Sequence, residues 1–105
     1  MSGNLLADLP ARLGEETFVA LLDRPGVRLE RIVSTGQATP PGEWLSQAHE
    51  EWVLLLKGAA ILTLEGEAPL MLGPGDHVLI PADLRHRVYW TDPRAPTVWL
   101  ALHIG

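Results

Sequence analysis

The sequence predicts an all-β domain, a sandwich or small barrel of short antiparallel strands. Three observations carry that prediction. From Glu51 onward the chain is a succession of apolar or alternating runs, WVLLL, AAILTL, APLML, HVLIP, RHRVYW and TVWLALHI, at spacings of about ten residues. The runs are parted by turn formers: Lys57-Gly58, Glu65-Gly66-Glu67, Gly73-Pro74-Gly75-Asp76, Ala82-Asp83-Leu84 and Asp92-Pro93-Arg94-Ala95-Pro96. Nine Pro and ten Gly in 105 residues supply that punctuation, which is too dense for a helical domain.

The N-terminal third is less regular. Residues 1–14 form a short leader in which Leu5, Leu6, Leu9 and Leu13 suit one or two helical turns, cut short by Pro10. "TFVALLDRPGVRLERIVSTG" then places two apolar runs around Arg24-Pro25-Gly26, a turn joining two extended segments. For residues 15–22 a helix fits as well as a strand, because Ala20, Leu21 and Leu22 serve either. The loop "GQATPPGEW" follows, and its two prolines forbid a central strand. Several later runs are apolar on both faces, so both faces need cover, from a second sheet or a second subunit.

Composition bounds the function. With 47% apolar and 20% charged residues the chain reads as one globular domain spanning 1–105. It has no cysteine, so any metal must be held by His, carboxylate or amide groups. A net charge of -5, a lone lysine (Lys57) and seven scattered arginines form no basic stripe, which argues against nucleic acid or an anionic membrane as partner. No apolar run reaches membrane-spanning length, and no positive region precedes the N-terminal leucines, so a soluble cytoplasmic protein is expected. Ser34 and Ser46 lack a G-x-S-x-G context, and Gly73-Pro74-Gly75 opens no helix that would cradle phosphate.

The chemistry concentrates at "SQAHEEWVLLLKG", residues 46–58. Side chains two apart on a strand share a face, so Gln47, His49 and Glu51 point together if the strand starts early enough. His-x-Glu sets an imidazole beside a carboxylate. A second histidine from a neighbouring strand completes a two-histidine, one-carboxylate set with open coordination positions. His86, which re-enters after the turn at Pro81, is the candidate.

These stretches resemble the two motifs of the cupin superfamily. Glu51, six residues and Gly58 look like the end of the first motif; Gly75-x5-Pro81-x4-His86 looks like the second, and the resemblance runs over roughly residues 36–104. It implies a single-domain, jelly-roll-like cupin β-barrel, paired as a homodimer, with a small-molecule pocket. The sequence also departs from the pattern. The His-x-His pair that precedes the motif's Glu falls on Leu45 and Gln47, or on Trp44 and Ser46; Asp83 stands where Gly is usual, and Trp90 where an Asn often closes the second motif. Glu51 and His86 carry over by position, while His49 and Gln47 join them on strand geometry.

The expected metal set is therefore His49, Glu51 and His86 with Gln47 through its amide oxygen, holding a divalent Fe, Mn, Zn or Ni ion. Trp90, four residues beyond His86, is expected on the same pocket wall. Trp99 and His103 alternate on the last strand and complete the candidate pocket, His103 otherwise being an ordinary core or surface histidine. Arg31 aligns with Val27, Leu29 and Val33; it faces either a buried partner such as Glu51 or, in the other register, solvent. His77 reads as a solvated or interface histidine, and Arg85 and Arg87 as charges pointing away from His86. The expected function is small-molecule binding with isomerase-, lyase- or dioxygenase-like chemistry at the ion. The alternatives are a ligand-binding module without metal and a structural subunit with a filled pocket.

Overall fold

The computed structural model describes residues 2–10 and 14–105; Leu13 of the expected leader lies outside them. Residues 5–8 make a turn, with Asn4 Oδ1 accepting from Leu6 N at 2.8 Å and Asn4 O from Ala7 N. Eight strands follow: β1 Thr17–Arg24, β2 Val27–Ser34, β3 Glu50–Lys57, β4 Ala60–Leu64, β5 Leu70–Leu72, β6 His77–Ile80, β7 His86–Thr91 and β8 Thr97–Ile104. Residues 17–22 are thus strand: pairing with β2, from Thr17↔Val33 to Arg24↔Val27, overrides the helix propensity of Ala20 and Leu21. Pro25 and Gly26 close this hairpin, Gly26 at φ 77 in the position where a type II turn requires a left-handed residue.

The strands form two antiparallel sheets, β1-β2-β8-β3-β6 and β5-β4-β7. This corrects the closed barrel expected from sequence. Among the described residues no strand ladder joins the sheets; the isolated bridge Leu45↔His86 attaches the loop before β3 to β7. The result is a jelly-roll-like sandwich with a cavity between its layers. No helix is long and apolar enough to cross a membrane.

Alternation builds the core. In β3, Val53 and Leu55 point inward and are buried, whereas Trp52, Leu54 and Leu56 are half-buried outside. They meet Leu62, Leu64, Leu72, Ile80, Trp99 and Ala101 from the other strands. The layers are linked at Gly58, between β3 and β4, whose φ is 96 and whose missing Cβ would lie 2.5 Å from Thr97 Oγ1 and 2.7 Å from Thr97 Cα. Only glycine meets both demands. That accounts for the Gly ending the first motif. β1 is an edge strand with Phe18, Val19, Leu21 and Leu22 exposed.

Candidate functional site

A cavity of about 280 Å³ opens between the sheets. Its polar lining is Glu16, Glu30, Ser46, Gln47, Glu51, His86 and His103; Ile32, Val53, Leu62, Val88 and Trp99 supply the apolar wall. A larger groove of about 620 Å³ runs along β5 and β6 but contains none of these ionisable groups. The chemistry is in the smaller cavity.

Glu51 sits at the first inward position of β3, opposite His103 on β8 and Ile80 on β6. Both Glu51 and His86 are almost completely buried, at 9% and 4% exposure. The turn before β7 aims His86. Asp83 has φ 65, which explains why glycine is the usual residue there and why Asp, among the side chains that tolerate this region, can stand in. In that conformation Asp83 N donates to Gln47 O at 2.7 Å, and Leu84 O is presented 3.0 Å from His86 Nδ1. A carbonyl only accepts, so Nδ1 carries the proton and the neutral ring's Nε2 is left as a lone pair. That lone pair faces Glu51 Oε1 across 4.0 Å. Leu45 exchanges two backbone hydrogen bonds with His86, and Gln47 Nε2 donates to Glu51 Oε1 at 2.8 Å.

His103 is held from both nitrogens. Its Nε2–H donates to Glu30 Oε1 at 2.9 Å and lies 3.8 Å from Glu51 Oε2. Its Nδ1 then accepts from His49 Nε2 at 2.9 Å, the two rings meeting edge to face. Arg28 approaches Glu30 at 3.5 Å from a neighbouring crevice that His49, His103 and Gly105 also line.

The site residues expected from sequence are therefore distributed as follows. Gln47, Glu51, His86, Trp99 and His103 line one cavity. His49 does not: the strand begins at Glu50, so residue 49 escapes the alternation, and its ring lies behind His103 in the outer crevice. Trp90 is also displaced from the cavity. A bulge leaves Tyr89 unpaired in β7, with Leu62↔Val88 followed directly by Ile61↔Trp90, so Val88 faces inward and Trp90 outward. Arg31 points away from the cavity too, with Nη1 donating to Leu5 O at 3.3 Å and Nε without a hydrogen-bond partner among the described residues. Its neighbours Glu30 and Ile32 take the cavity face. His77 is exposed and packs against Trp52, 5.7 Å between ring centres. Arg85 pairs with Glu65 at 3.0 Å and lies over Trp44, away from the cavity.

Glu16 and Glu30 were not foreseen. In "VRLERIVS" the odd positions are the more apolar, which favours them as core; but the outer face of this sheet is itself apolar and Val33 is fully buried there. The inner face is the more polar one because it lines a cavity. Parity with Ser34 and Ile32 was the available signal. Burial raises the Glu16 carboxyl above its ordinary value, opposed by a hydrogen bond from Ser34.

Among the described residues no three His, Asp or Glu side chains converge in ligating geometry. The donor chemistry nonetheless fits an ion anchored on two groups. Glu51 and the His86 Nε2 lone pair are both acceptors, and at 4.0 Å they stand a little wider than the roughly 3–3.5 Å that separates neighbouring ligands on metal bonds of roughly 2.0–2.2 Å, so a small side-chain rotation would bring both onto one ion. The carbonyl behind His86 is the outer support usual for a ligating imidazole.

An eight-stranded sandwich with a His/Glu-lined cavity between its sheets defines a small jelly-roll binding fold. Residues 32–103 match the Cupin domain family, and the chain belongs to it. It is similar to a crystal structure from Ralstonia eutropha JMP134, provisionally assigned as a mannose-6-phosphate isomerase: 48% identity over 99% of this chain and 97% of that one, TM-score 0.97. It is also similar to the DMSP lyase DddQ of Ruegeria pomeroyi DSS-3, at 26% identity and TM-score 0.73, covering 90% of this chain but 52% of that one. A cupin superfamily protein of Desulfitobacterium hafniense DCB-2, 19% identical with TM-score 0.78 over 98% of this chain and 90% of that one, shares the fold. No curated protein matches the sequence.

Proposed function

We propose that the protein binds a small molecule in the cavity between its sheets, at a divalent cation held by Glu51 and His86. The single observation that carries this reading is the pair of buried acceptors, the His86 Nε2 lone pair and Glu51 Oε1, that face each other across 4.0 Å in the cavity. Gln47 lies against Glu51 and supplies an amide oxygen once its side chain turns over. His103, oriented by Glu30 and His49, borders the same space. A bound Fe, Mn, Zn or Ni ion would supply Lewis acidity to an oxygen-bearing ligand. Isomerase- or lyase-like chemistry is the reaction class we favour, in keeping with the activities given to the Ralstonia and Ruegeria proteins.

One observation favours a second reading, a ligand-binding cupin without metal. Gln47 turns its amide N–H, not its oxygen, to Glu51, and His103 has committed Nε2 to Glu30, so neither presents a free ligand atom beside Glu51. Elemental analysis of protein purified without added metal, followed by calorimetric titration with Mn, Fe, Zn and Ni, separates the two. Near-stoichiometric metal, lost in Glu51→Gln and His86→Ala but retained in His49→Ala, supports the first. Neither co-purified nor titrated metal leaves only the second. The chain also pairs as a homodimer in this proposal, through the exposed apolar residues of β1.

A further inference from the structure

Glu30, Glu51, His86 and His103 line the cavity together, with Gln47 bonded to Glu51 and Ser46 beside it in the chain. Glu16 lines it as well, hydrogen-bonded to Ser34, a fully buried residue behind the lining that lies four residues along β2 from Glu30 and so about 13 Å away along the strand. Ile32, Val53, Leu62 and Val88 form the apolar stretch of the lining.

The Glu16 group is wired in one direction. Trp99 Nε1–H donates to Ser34 Oγ at 3.3 Å, and the Ser34 hydroxyl spends its one proton on Glu16 Oε2. An indole has one donor and no acceptor, and a serine hydroxyl has one donor. The chain therefore ends on a carboxylate with every donor already used. Glu16 Oε1 makes no hydrogen bond among the described residues, and Glu16 lines the cavity. A ligand reaching Glu16 meets acceptors and must bring the donors.

The cavity's charge points the same way. Its charged lining among the described residues is Glu16, Glu30 and Glu51, with no lysine or arginine. Arg28 reaches Glu30 from the outer crevice, while Arg31 and Arg87 are turned to backbone oxygens of Leu5 and Thr39. The described residues include no helix whose N-terminus would receive an anion. Phosphate recognition relies on such donors.

We propose that Glu16, presented by Ser34 and Trp99, is a second binding group that takes a hydroxyl or ammonium of the ligand, so that the cavity without a bound cation admits neutral or cationic molecules and rejects phosphorylated ones. This deepens the small-molecule reading above and rests on the cavity without requiring the metal. It also sets the cavity in that state apart from a sugar-phosphate site.

The test compares three probes with one six-carbon tail: hexylammonium, hexanol and hexyl phosphate. Each is titrated calorimetrically into the wild type, Glu16→Gln and Glu51→Gln, with and without Mn. In the arm without Mn, the expected result is binding of hexylammonium and hexanol to the wild type, no detectable binding of hexyl phosphate, and hexylammonium affinity about tenfold or more weaker in Glu16→Gln. Glu51→Gln should keep it, which separates this proposal from the metal reading, itself decided by the Mn titration. Should Glu16→Gln fail to fold, the indole N–H resonances of the wild type decide instead: hexylammonium should move that of Trp99, identified with Trp99→Phe, more than the other three. Without Mn, hexyl phosphate binding as tightly as hexylammonium overturns the proposal. So does hexylammonium that is lost in Glu51→Gln and kept in Glu16→Gln, or an unmoved Trp99 indole.

Discussion

Gly58→Ala puts the link between the two sheets under a quantitative test. The residue has φ 96, where a side chain costs roughly 1–2 kcal/mol through contact with its own backbone. The new methyl would also sit 2.5 Å from Thr97 Oγ1, 2.7 Å from Thr97 Cα and 2.9 Å from Pro96 O. Two of those three neighbours are backbone and cannot swing aside. Thr97 is fully buried and its hydroxyl holds both Ala59 N and Ala59 O, at 3.3 and 3.2 Å. Overpacking at such a site costs about 1–3 kcal/mol more. The combined loss is about 2–5 kcal/mol, a large share of the roughly 5–15 kcal/mol typical of a domain's stability. Urea unfolding followed by tryptophan fluorescence reads it as a lower midpoint at unchanged slope. A loss under about 1 kcal/mol would refute both the backbone conformation and the contact with Thr97.

Other predictions follow from single residues. Asp83→Gly, at φ 65, should be neutral or raise stability by up to about 1 kcal/mol, because left-handed strain disappears while the Asp83 N to Gln47 O bond remains; a loss above that in thermal melts counts against the turn described. Leu55→Ala removes a fully buried side chain from the centre of the core and should cost about 2–5 kcal/mol by urea unfolding; a cost below 1 kcal/mol would mean that β3 is in another register. Because burial raises the Glu16 carboxyl, the folded chain holds that proton more tightly than the unfolded one. Stability should therefore fall as pH rises from the ordinary 4.5 through the raised folded value, and Glu16→Gln should gain on the wild type across that window and stay ahead above it. A pH-independent difference between the two would sink that reading. Phe18→Asp with Leu22→Asp should convert a sedimenting dimer to monomer without unfolding it, both side chains being exposed on an edge strand; a monomeric wild type removes the proposed pairing.

How far the sequence reached is seen best strand by strand. From β3 to β8 it located every strand, since regular turn residues part the apolar runs and alternation is a local property. It also singled out Glu51 and His86, two residues of opposite motifs that the fold brings within 4.0 Å. Trp99 and His103 were placed in the cavity by alternation within β8, whereas Gln47 lies in the loop before β3 and is held at the cavity by the bond from Asp83 N to its carbonyl and by its own bond to Glu51.

What it missed has specific causes. Trp90 lies outside because the bulge at Tyr89 reverses the parity counted from His86, and a bulge leaves no mark in composition. His49 lies outside because the strand starts one residue later than its alternation required. Arg31 was a candidate for the inner face because that face was expected to be the more apolar. The cavity makes it the more polar, and Glu30 stands there instead.

By itself, then, the sequence determined the all-β class, the strand spacing, the family motifs and the absence of thiolate ligands, because each is read from composition or from neighbours a few residues apart. Tertiary structure decided that the sheets stay open, that His49 serves His103 from behind, and that Glu16, Glu30, Glu51, His86 and His103 share one cavity. Those facts depend on register and bulges between strands distant in the chain, where a shift of one residue exchanges the two faces.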